Sequence, residues 1–207
     1  MNIAIIGATG KTGRVLVQQA LDKGHQITVI VRDPNRLPQP TTKLNIIAGN
    51  FDNKGALQAC LKDQDAVYCL LGSKDLYKNT GVRTAGTRAI IEAMETTGVQ
   101  RLVVMSAMGV GESWKNLSLF NKFLFAAFMP AARQDHEDQE ALVKSSSLEW
   151  TIIRPSGLVN TPEVSSYEAG PDIRSKTSQI SRSNVADFML KVVESHSHIR
   201  EALTITN

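Results

Sequence analysis

Short apolar segments rich in β-branched residues alternate along this chain with longer segments of helical periodicity. The apolar segments are continuous rather than interrupted by polar residues, which is typical of strands that are covered on both faces of a sheet. They comprise residues 3–6, 26–31, 44–48, 66–71, 101–105, 150–153 and 202–206. The helical segments comprise residues 12–23, 54–62, 81–97, 132–146 and 184–195. This order predicts an α/β fold with a doubly wound, mostly parallel sheet and right-handed crossovers.

Two irregular segments interrupt the alternation, at about residues 109–130 and 156–183. Each follows the carboxyl end of a predicted strand, and ligands of open parallel sheets bind at that edge. We therefore predict that both segments border a substrate. The chain of 207 residues shows no linker, internal repeat or low-complexity tract, so we expect one domain over residues 1–207.

Composition and charge argue against several classes of protein. The formal net charge is only +3 and the basic residues are dispersed, which argues against binding of nucleic acid. Two cysteines, Cys60 and Cys69, and a start that lacks the pattern of an export signal predict a reducing compartment and a cytoplasmic location. No apolar stretch approaches the length of a membrane span, so no membrane association is expected. The four histidines have no neighbouring cysteine pairs, and no metal site is predicted.

A glycine-rich turn, Gly7-Ala8-Thr9-Gly10-Lys11-Thr12-Gly13, joins the first predicted strand to the first predicted helix. Glycines at this spacing permit a sharp turn, let the backbone approach a pyrophosphate, and let helix and strand pack closely. The helix N-terminus then offers unpaired N–H groups to the phosphates. The motif of nucleoside triphosphatases needs a glycine where Ile5 stands, so the sequence predicts a dinucleotide and a Rossmann fold. A glycine-rich turn without a ligand is the alternative.

The tip of the second predicted strand distinguishes the two nicotinamide cofactors. Enzymes that prefer NAD carry an acidic residue there, which binds the ribose hydroxyls. This chain carries Arg32, with Arg36 one turn later, and two guanidinium groups suit the 2′-phosphate of NADP(H). A surface salt bridge is the alternative role for Arg32. Asp33 either caps the turn at residues 35–36 or faces a ribose. The sequence therefore predicts NADPH as the cofactor.

Several segments, spread over nearly the whole chain, resemble a known family. They are residues 7–13, Val31-Arg32-Asp33-x-x-Arg36-Leu37-Pro38, Gln64-Asp65-Ala66-Val67, Leu70-Leu71-Gly72, Ser106 and Asp187-Phe188-Met189-Leu190. The set resembles the atypical short-chain dehydrogenase/reductase superfamily and, within it, the biliverdin reductase B/NADPH flavin reductase family. The resemblance implies a protein that passes hydride from NADPH to flavins (FMN, FAD or riboflavin) and to open-chain tetrapyrroles such as biliverdin.

The same resemblance implies roles for individual residues of this sequence. It assigns the pyrophosphate to Thr9, Gly10, Lys11 and Thr12, which lie between the cofactor-binding glycines Gly7 and Gly13 of the same turn, the 2′-phosphate to Arg32 and Arg36, the adenine to Asn50 and Phe51, the nicotinamide-side ribose and phosphate to Leu71, Gly72 and Lys74, and the nicotinamide end to Pro155 and Ser156. The biliverdin reductase B family often has a histidine where Ser156 stands, so this chain departs from that pattern.

The Tyr-x-x-x-Lys pair of the superfamily is absent, because no tyrosine here has a lysine four residues later. Reduction of a plain carbonyl needs a positioned acid, whereas a flavin or bilin spreads the incoming charge over a conjugated system. We therefore expect Ser106 to orient the acceptor by a hydrogen bond, without acting as a strong acid. His136 is the alternative proton donor, although its charged neighbours predict an exposed helix face. A non-catalytic NADP(H)-sensing or assembly protein is the alternative function; a sugar-nucleotide epimerase would need the missing tyrosine.

Four of the six phenylalanines lie within nine residues: Phe120, Phe123, Phe125 and Phe128. The segment packs on the core, or covers a flat aromatic substrate as a lid, or forms a dimer contact. Three basic residues near it are candidates for pairing with an anionic group of the acceptor: Lys115, Lys122 and Arg133. The expected partner is a small aromatic acceptor, and the expected assembly is a monomer or a weak homodimer.

Overall fold

The structure, a computed structural model, describes residues 1–37, 41–73, 80–117, 122, 130–161, 164–174 and 179–207. The strands are β1 (Asn2–Ile6), β2 (Gln26–Val31), β3 (Leu44–Ala48), β4 (Ala66–Cys69), β5 (Arg101–Met105), β6 (Glu149–Pro155), β7 (Gly157–Val159), β8 (Glu168–Gly170), β9 (Gln179–Ser181) and β10 (Glu201–Thr206). The helices are α1 (Lys11–Asp22), α2 (Lys54–Leu61), α3 (Val82–Thr97), α4 (Pro130–Ser145) and α5 (Arg182–Glu194).

The main sheet has eight strands in the order β3-β2-β1-β4-β5-β6-β10-β8. Neighbouring strands run parallel except β8, which pairs antiparallel with β10. From β1 the chain adds β2 and β3 on one side of the sheet, and from β4 it adds β5 and β6 on the other side. The loops that follow β1 and β4 therefore diverge and leave a crevice at the carboxyl ends of these two strands. The predicted doubly wound, mostly parallel Rossmann fold is confirmed.

Alternate residues of the central strands feed two hydrophobic cores, one on each face of the sheet. Ile3 and Ile5 of β1 pack in the core beneath α1 and α5, whereas Ala4 and Ile6 pack in the core beneath α2, α3 and α4. Because both faces are covered, nearly every residue of these strands is buried, which explains their continuous apolar pattern. No helix in the described part of the chain is long and apolar enough to cross a membrane.

Regular structure also forms inside the segment 156–183, which the sequence predicted to be irregular. Here β7 and β9 pair in parallel as a separate two-stranded sheet, and β8 extends the main sheet. Each of these strands has only three residues, which is too short to show a hydrophobic period. The four clustered phenylalanines, Phe120, Phe123, Phe125 and Phe128, lie outside the described residues.

Candidate functional site

The turn between β1 and α1 leaves no room for side chains at two of its glycines. Gly7 has a φ of +95°, and a β-carbon there would lie 2.5 Å from the carbonyl oxygen of Leu70. A β-carbon on Gly13 would lie 2.9 Å from Cα of Ala8 and closer still to the carbonyl oxygen of Gly7. These contacts hold α1 directly against the ends of β1 and β4, which is the packing that a phosphate-binding turn needs.

The N-terminus of α1 opens into the crevice without a side-chain cap. Gly10 is the N-cap residue and supplies no side-chain acceptor, while its carbonyl oxygen accepts the N–H of Arg14 at 2.9 Å. The first N–H groups of the helix are therefore available to an external anion. The glycine-rich turn and the N-terminus of α1 together fit the pyrophosphate of a dinucleotide.

A groove of about 650 Å³ runs along the carboxyl edge of the sheet. It is lined by the phosphate turn, by Ile30, Val31, Arg32 and Arg36 on one side, by Gly49, Asn50, Phe51 and Asp52 beyond them, and by Leu70, Leu71, Gly72, Ser73, Val82, Met105, Leu158 and Arg182 on the other side. Its lining thus joins polar and cationic groups at the β2 end to mainly apolar side chains around β5.

Arg32 and Arg36 both line the groove, and both are exposed. Neither guanidinium has an ion-pair partner among the residues that the structure describes, so the salt bridge considered for Arg32 is not found there. Asp33 takes the capping role, because its Oδ1 accepts the N–H of Asn35 at 3.1 Å at the start of a short 3₁₀ helix. This cap fixes the turn that carries the second arginine beside the first.

The residues assigned to the adenine and to the nicotinamide-side ribose lie on opposite sides of the phosphate turn. Asn50 and Phe51 follow β3, and Leu71 and Gly72 follow β4, all at the groove wall. A β-carbon on Gly86 would lie 3.3 Å from the Phe51 ring, so α3 approaches this wall closely. Lys74 lies outside the described residues.

Pro155 and Ser156, predicted to meet the nicotinamide, are buried at the end of β6 and do not appear in the groove lining. The Ser156 hydroxyl donates to Oγ1 of Thr206 at 3.1 Å. Two residues that the sequence analysis did not single out, Met105 and Leu158, line the groove beside them. Met105 ends the predicted strand 101–105 and Leu158 comes five residues after the predicted strand 150–153, so their position at the carboxyl edge is the signal that would have identified them.

Ser106 is buried directly after β5 and is absent from the groove lining, and its hydroxyl hydrogen already has an acceptor. The hydroxyl donates to Oε1 of Glu140 on α4 at 2.8 Å. Glu140 is in turn held by Arg154, whose Nε and Nη2 donate to the two carboxylate oxygens at 2.9 and 2.5 Å. Because a hydroxyl has one hydrogen, Ser106 meets a further ligand as an acceptor while this bond is made.

The same arginine ties the loop after β5 to the body of the protein. Arg154 is almost fully buried, and its Nη2 donates to Oε2 of Glu112 at 2.6 Å, while Lys144 donates to Oε1 of the same residue at 2.9 Å. These two cations lower the pKa of Glu112 to about 2. The start of the segment 109–130 is therefore fixed by a charged cluster rather than by apolar packing alone.

His136 lies inside the protein, so the expectation of an exposed helix face was wrong. Its Nδ1 lies 3.4 Å from the Ser106 hydroxyl, and the residue is only 9% exposed. Burial, reinforced by the nearby charge of Arg83, lowers its pKa to about 3, so the imidazole is neutral at pH 7. The pair His136 and Glu140 has the four-residue spacing of the Tyr-x-x-x-Lys pair, and both residues face Ser106.

Two of the three basic residues proposed to meet an anionic acceptor have partners of their own. Lys115 pairs with Asp172 at 2.7 Å, and Arg133 pairs with Glu137 at 2.9 Å while its guanidinium lies 4.0 Å from the centre of the Trp114 ring. These contacts engage both cations outside the groove lining.

Comparison with known proteins identifies the family. The model of a family described as NAD(P)H-binding matches residues 7–196. An uncharacterized chloroplastic protein of Arabidopsis thaliana is 26% identical over 92% of this chain and 71% of its own length. The photosystem II assembly factor Ycf39 of Guillardia theta is also 26% identical, over 76% of this chain and 46% of its own length.

Solved structures share the fold at low sequence identity. A short-chain dehydrogenase/reductase of Veillonella parvula in complex with NADP superposes with a TM-score of 0.85 at 20% identity, covering 100% of this chain and 94% of that one. ChuY, an anaerobillin reductase of Escherichia coli O157:H7, superposes with a TM-score of 0.77 at 17% identity, covering 100% and 97%. The predicted nicotinamide dinucleotide cofactor is confirmed, whereas the likeness to the biliverdin reductase B family stays a prediction. The chain belongs to the NAD(P)H-binding family and has a Rossmann fold.

Proposed function

We propose that this protein is an NADPH-dependent reductase that passes hydride to flavins and to open-chain tetrapyrroles such as biliverdin. The groove supports this proposal best, because it joins a phosphate-binding turn and two arginines, which have no ion-pair partner among the described residues, to a mainly apolar end. Such an end suits a flat conjugated acceptor that lies against a nicotinamide ring. In this proposal, the segments 109–130 and 156–183 border the acceptor and residues 1–207 form one domain.

At the cofactor end, the chain's own groups favour NADPH over NADH. The N–H groups at the start of α1 bind the pyrophosphate, and Arg32 and Arg36 bind the 2′-phosphate, which NADH lacks. Asn50 and Phe51 flank the adenine, and Leu71 and Gly72 position the nicotinamide-side ribose. Bound NADPH supplies the hydride.

At the acceptor end, the side chains bind and orient rather than protonate. Met105 and Leu158 offer an apolar surface that excludes water. Ser106, which follows the lining residue Met105 and is itself buried, acts as a positioning residue, because its hydrogen is donated to Glu140 and its oxygen remains an acceptor. His136 is neutral, and no strong acid faces this end among the described residues. A conjugated acceptor spreads the added charge and takes its proton from water, as this arrangement requires. The anaerobillin reductase activity of ChuY supports an acceptor of the bilin class.

A second candidate is a non-catalytic NADP(H)-sensing or assembly protein. The buried bonds among Ser106, Glu140 and Arg154 favour it, because they already engage Ser106, the residue with which the reductase would orient its acceptor. The relationship to the assembly factor Ycf39 supports the same reading. Tight binding of NADPH without turnover of any aromatic acceptor is its expected signature.

The deciding experiment follows NADPH oxidation at 340 nm with FMN and biliverdin in parallel. We expect turnover of at least one acceptor, and we expect Arg32→Glu to raise the KM for NADPH by about 10- to 100-fold, since it replaces a charge-assisted contact by a repulsive one. The same variant keeps its activity with NADH, which has no 2′-phosphate. Absence of turnover while NADPH still binds contradicts the reductase and supports the second candidate.

A further inference from the structure

One cationic side chain in the groove, Arg182, has no role in the cofactor site described above. It is the first residue of α5 and lines the groove together with Met105 and Leu158. Its guanidinium contacts Leu158, in the segment after β6, and three strand spacings, or about 14 Å, separate β6 from β1, which leads into the phosphate turn. Arg182 therefore borders the end that the proposed function assigns to the acceptor.

The contacts of Arg182 fix its guanidinium without neutralising it. Its Nη1 donates to the carbonyl oxygen of Leu158 at 3.2 Å and to Oδ1 of Asn160 at 2.7 Å. Both acceptors are uncharged. The Nε is buried and has no hydrogen-bond partner, and no carboxylate pairs with this guanidinium among the described residues. The edge that carries Nε and Nη2 thus has no acceptor among the residues that the structure describes.

The buried arginines of the described chain each have a carboxylate partner or three carbonyl acceptors, and the partly buried Arg182 has neither; Nε of Arg83 and Nε of Arg101 also lack a partner. Arg154 is paired with Glu140 and Glu112, and Arg83 is paired with Asp135. Arg101 donates to the carbonyl oxygens of residues 149, 192 and 197, two of which lie in or just after the last turn of α5. Burial of a cation is costly unless acceptors surround it, and burial alone lowers the pKa of Arg182.

We propose that Arg182 binds an anionic group of the acceptor, a carboxylate or a phosphate, through the edge of its guanidinium that carries Nε and Nη2. This inference rests on the proposed function and adds a class of substrate to it. The fork of two N–H groups on that edge matches a carboxylate or phosphate. Biliverdin carries propionates and FMN carries a phosphate, whereas riboflavin carries no anionic group. Arg182 therefore selects charged acceptors over neutral ones.

The test compares matched charged and neutral acceptors in Arg182→Met, which removes the charge and keeps an unbranched side chain. We expect the KM for FMN to rise about 10- to 100-fold and the KM for riboflavin to change less than about twofold. Arg182→Lys restores part of the FMN affinity, because it keeps the charge but not the fork. Lys191→Met is the control, since Lys191 lies on the same helix but pairs with Asp187 at 2.7 Å outside the groove lining.

Two results would overturn the inference. An equal rise in KM for FMN and riboflavin would assign Arg182 a structural role, and a melting temperature lowered only in Arg182→Met would support that reading. A weaker affinity for NADPH in Arg182→Met, with the preference for FMN unchanged, would assign Arg182 to the cofactor.

Binding measurements separate this inference from the proposed function. Quenching of flavin fluorescence gives the Kd of FMN and riboflavin on the NADP⁺-loaded protein without any turnover. A preference for FMN that is lost in Arg182→Met supports the anion site even if no acceptor is reduced. Biliverdin and its dimethyl ester, followed by absorbance, form a second matched pair. If wild-type protein prefers the charged member of neither pair, the inference is wrong, whatever the outcome for turnover.

Discussion

At the scale of single residues, the packing of the phosphate turn requires that Gly13 has no β-carbon. A β-carbon at position 13 would lie 2.9 Å from Cα of Ala8 and even closer to the carbonyl oxygen of Gly7. Gly13→Ala must therefore push α1 away from β1. We expect the Kd for NADPH to rise at least about tenfold and the free energy of unfolding to fall by about 1–3 kcal/mol. Fluorescence titration with NADPH and denaturant unfolding measure the two effects.

Gly55→Ala is the matched control, because a β-carbon at Gly55 in α2 would meet only Oδ1 of Asn53 at 3.7 Å. The helix propensity of alanine then raises stability by up to about 1 kcal/mol, and NADPH affinity stays unchanged. Equal NADPH affinities in wild-type protein and Gly13→Ala would show that the turn tolerates a β-carbon and that its tight packing has no role in binding.

Some residues of the site can be located from the sequence alone, and others cannot. The glycine spacing depends only on the local backbone, and the two arginines depend only on the tip of one strand. The sequence was therefore enough to predict that Gly7, Gly13 and Arg32 lie at the groove. The surroundings of His136 depend instead on how α4 packs against β5 and α3, and its charged neighbours in sequence misled the prediction. Arg182 was missed for a similar reason, since its acceptors lie more than twenty positions away in sequence.

At the scale of elements, continuous apolar runs located the long strands to within a few residues. The predicted segments 26–31, 44–48 and 101–105 coincide with β2, β3 and β5. A strand that is covered on both faces can be recognised from its own sequence, because nearly all of its residues are apolar. The short strands β7, β8 and β9 owe their structure to pairing with distant partners, so composition alone could not show them.

One helix is capped by a side chain from another helix. The N-cap residue of α3, Gly81, offers no side-chain acceptor, and Asp135 of α4 accepts the backbone N–H groups of Arg83 and Thr84 at 3.3 and 3.1 Å. Asp135 also pairs with the guanidinium of Arg83, and its side chain is 1% exposed. Asp135→Ala removes the cap and leaves a buried cation unpaired. We expect the free energy of unfolding to fall by roughly 3 kcal/mol, measured by denaturant unfolding.

Asp138→Ala on the same helix is the control, because the one hydrogen bond that Asp138 accepts within the described part of the chain is an exposed one from Gln134. We expect that variant to stay within about 0.5 kcal/mol of wild-type protein. Similar losses in both variants would mean that the helix, and not the link between α4 and α3, accounts for the effect.

At the scale of the whole molecule, the sheet order determines which groups can act together. Groups at the carboxyl ends of β2, β1, β4 and β5 lie side by side at one edge, although they are up to about a hundred positions apart in sequence. Behind that edge, α4 contributes His136, Glu140 and Asp135 to a buried polar layer, which contacts β5, β6 and α3. The stability of the molecule is therefore coupled to the protonation of this layer.

His136 makes that coupling measurable. Its pKa is about 3 in the folded protein against an ordinary value of 6.5, so the unfolded chain binds a proton more readily than the folded one between these values. Stability contributed by the neutral imidazole is complete above pH 6.5 and is lost as the pH falls towards 3. The loss is about 1.4 kcal/mol per pH unit, or about 2 kcal/mol at pH 5. Glu112, with a pKa of about 2, adds its own loss only below about pH 4.5.

Denaturant unfolding between pH 7 and pH 4.5 therefore measures the contribution of His136 to stability without that of Glu112. We expect the free energy of unfolding of wild-type protein to fall across this range, and that of His136→Gln to fall much less, since glutamine does not titrate. His196→Gln is the control, because the side chain of His196 is 68% exposed, and it keeps the wild-type slope. Parallel slopes for wild-type protein and His136→Gln would mean that the imidazole is already charged or hydrated in the folded state. Ser106 would then have a proton donor beside it, and His136 would replace water as the source of the proton in the proposed reaction.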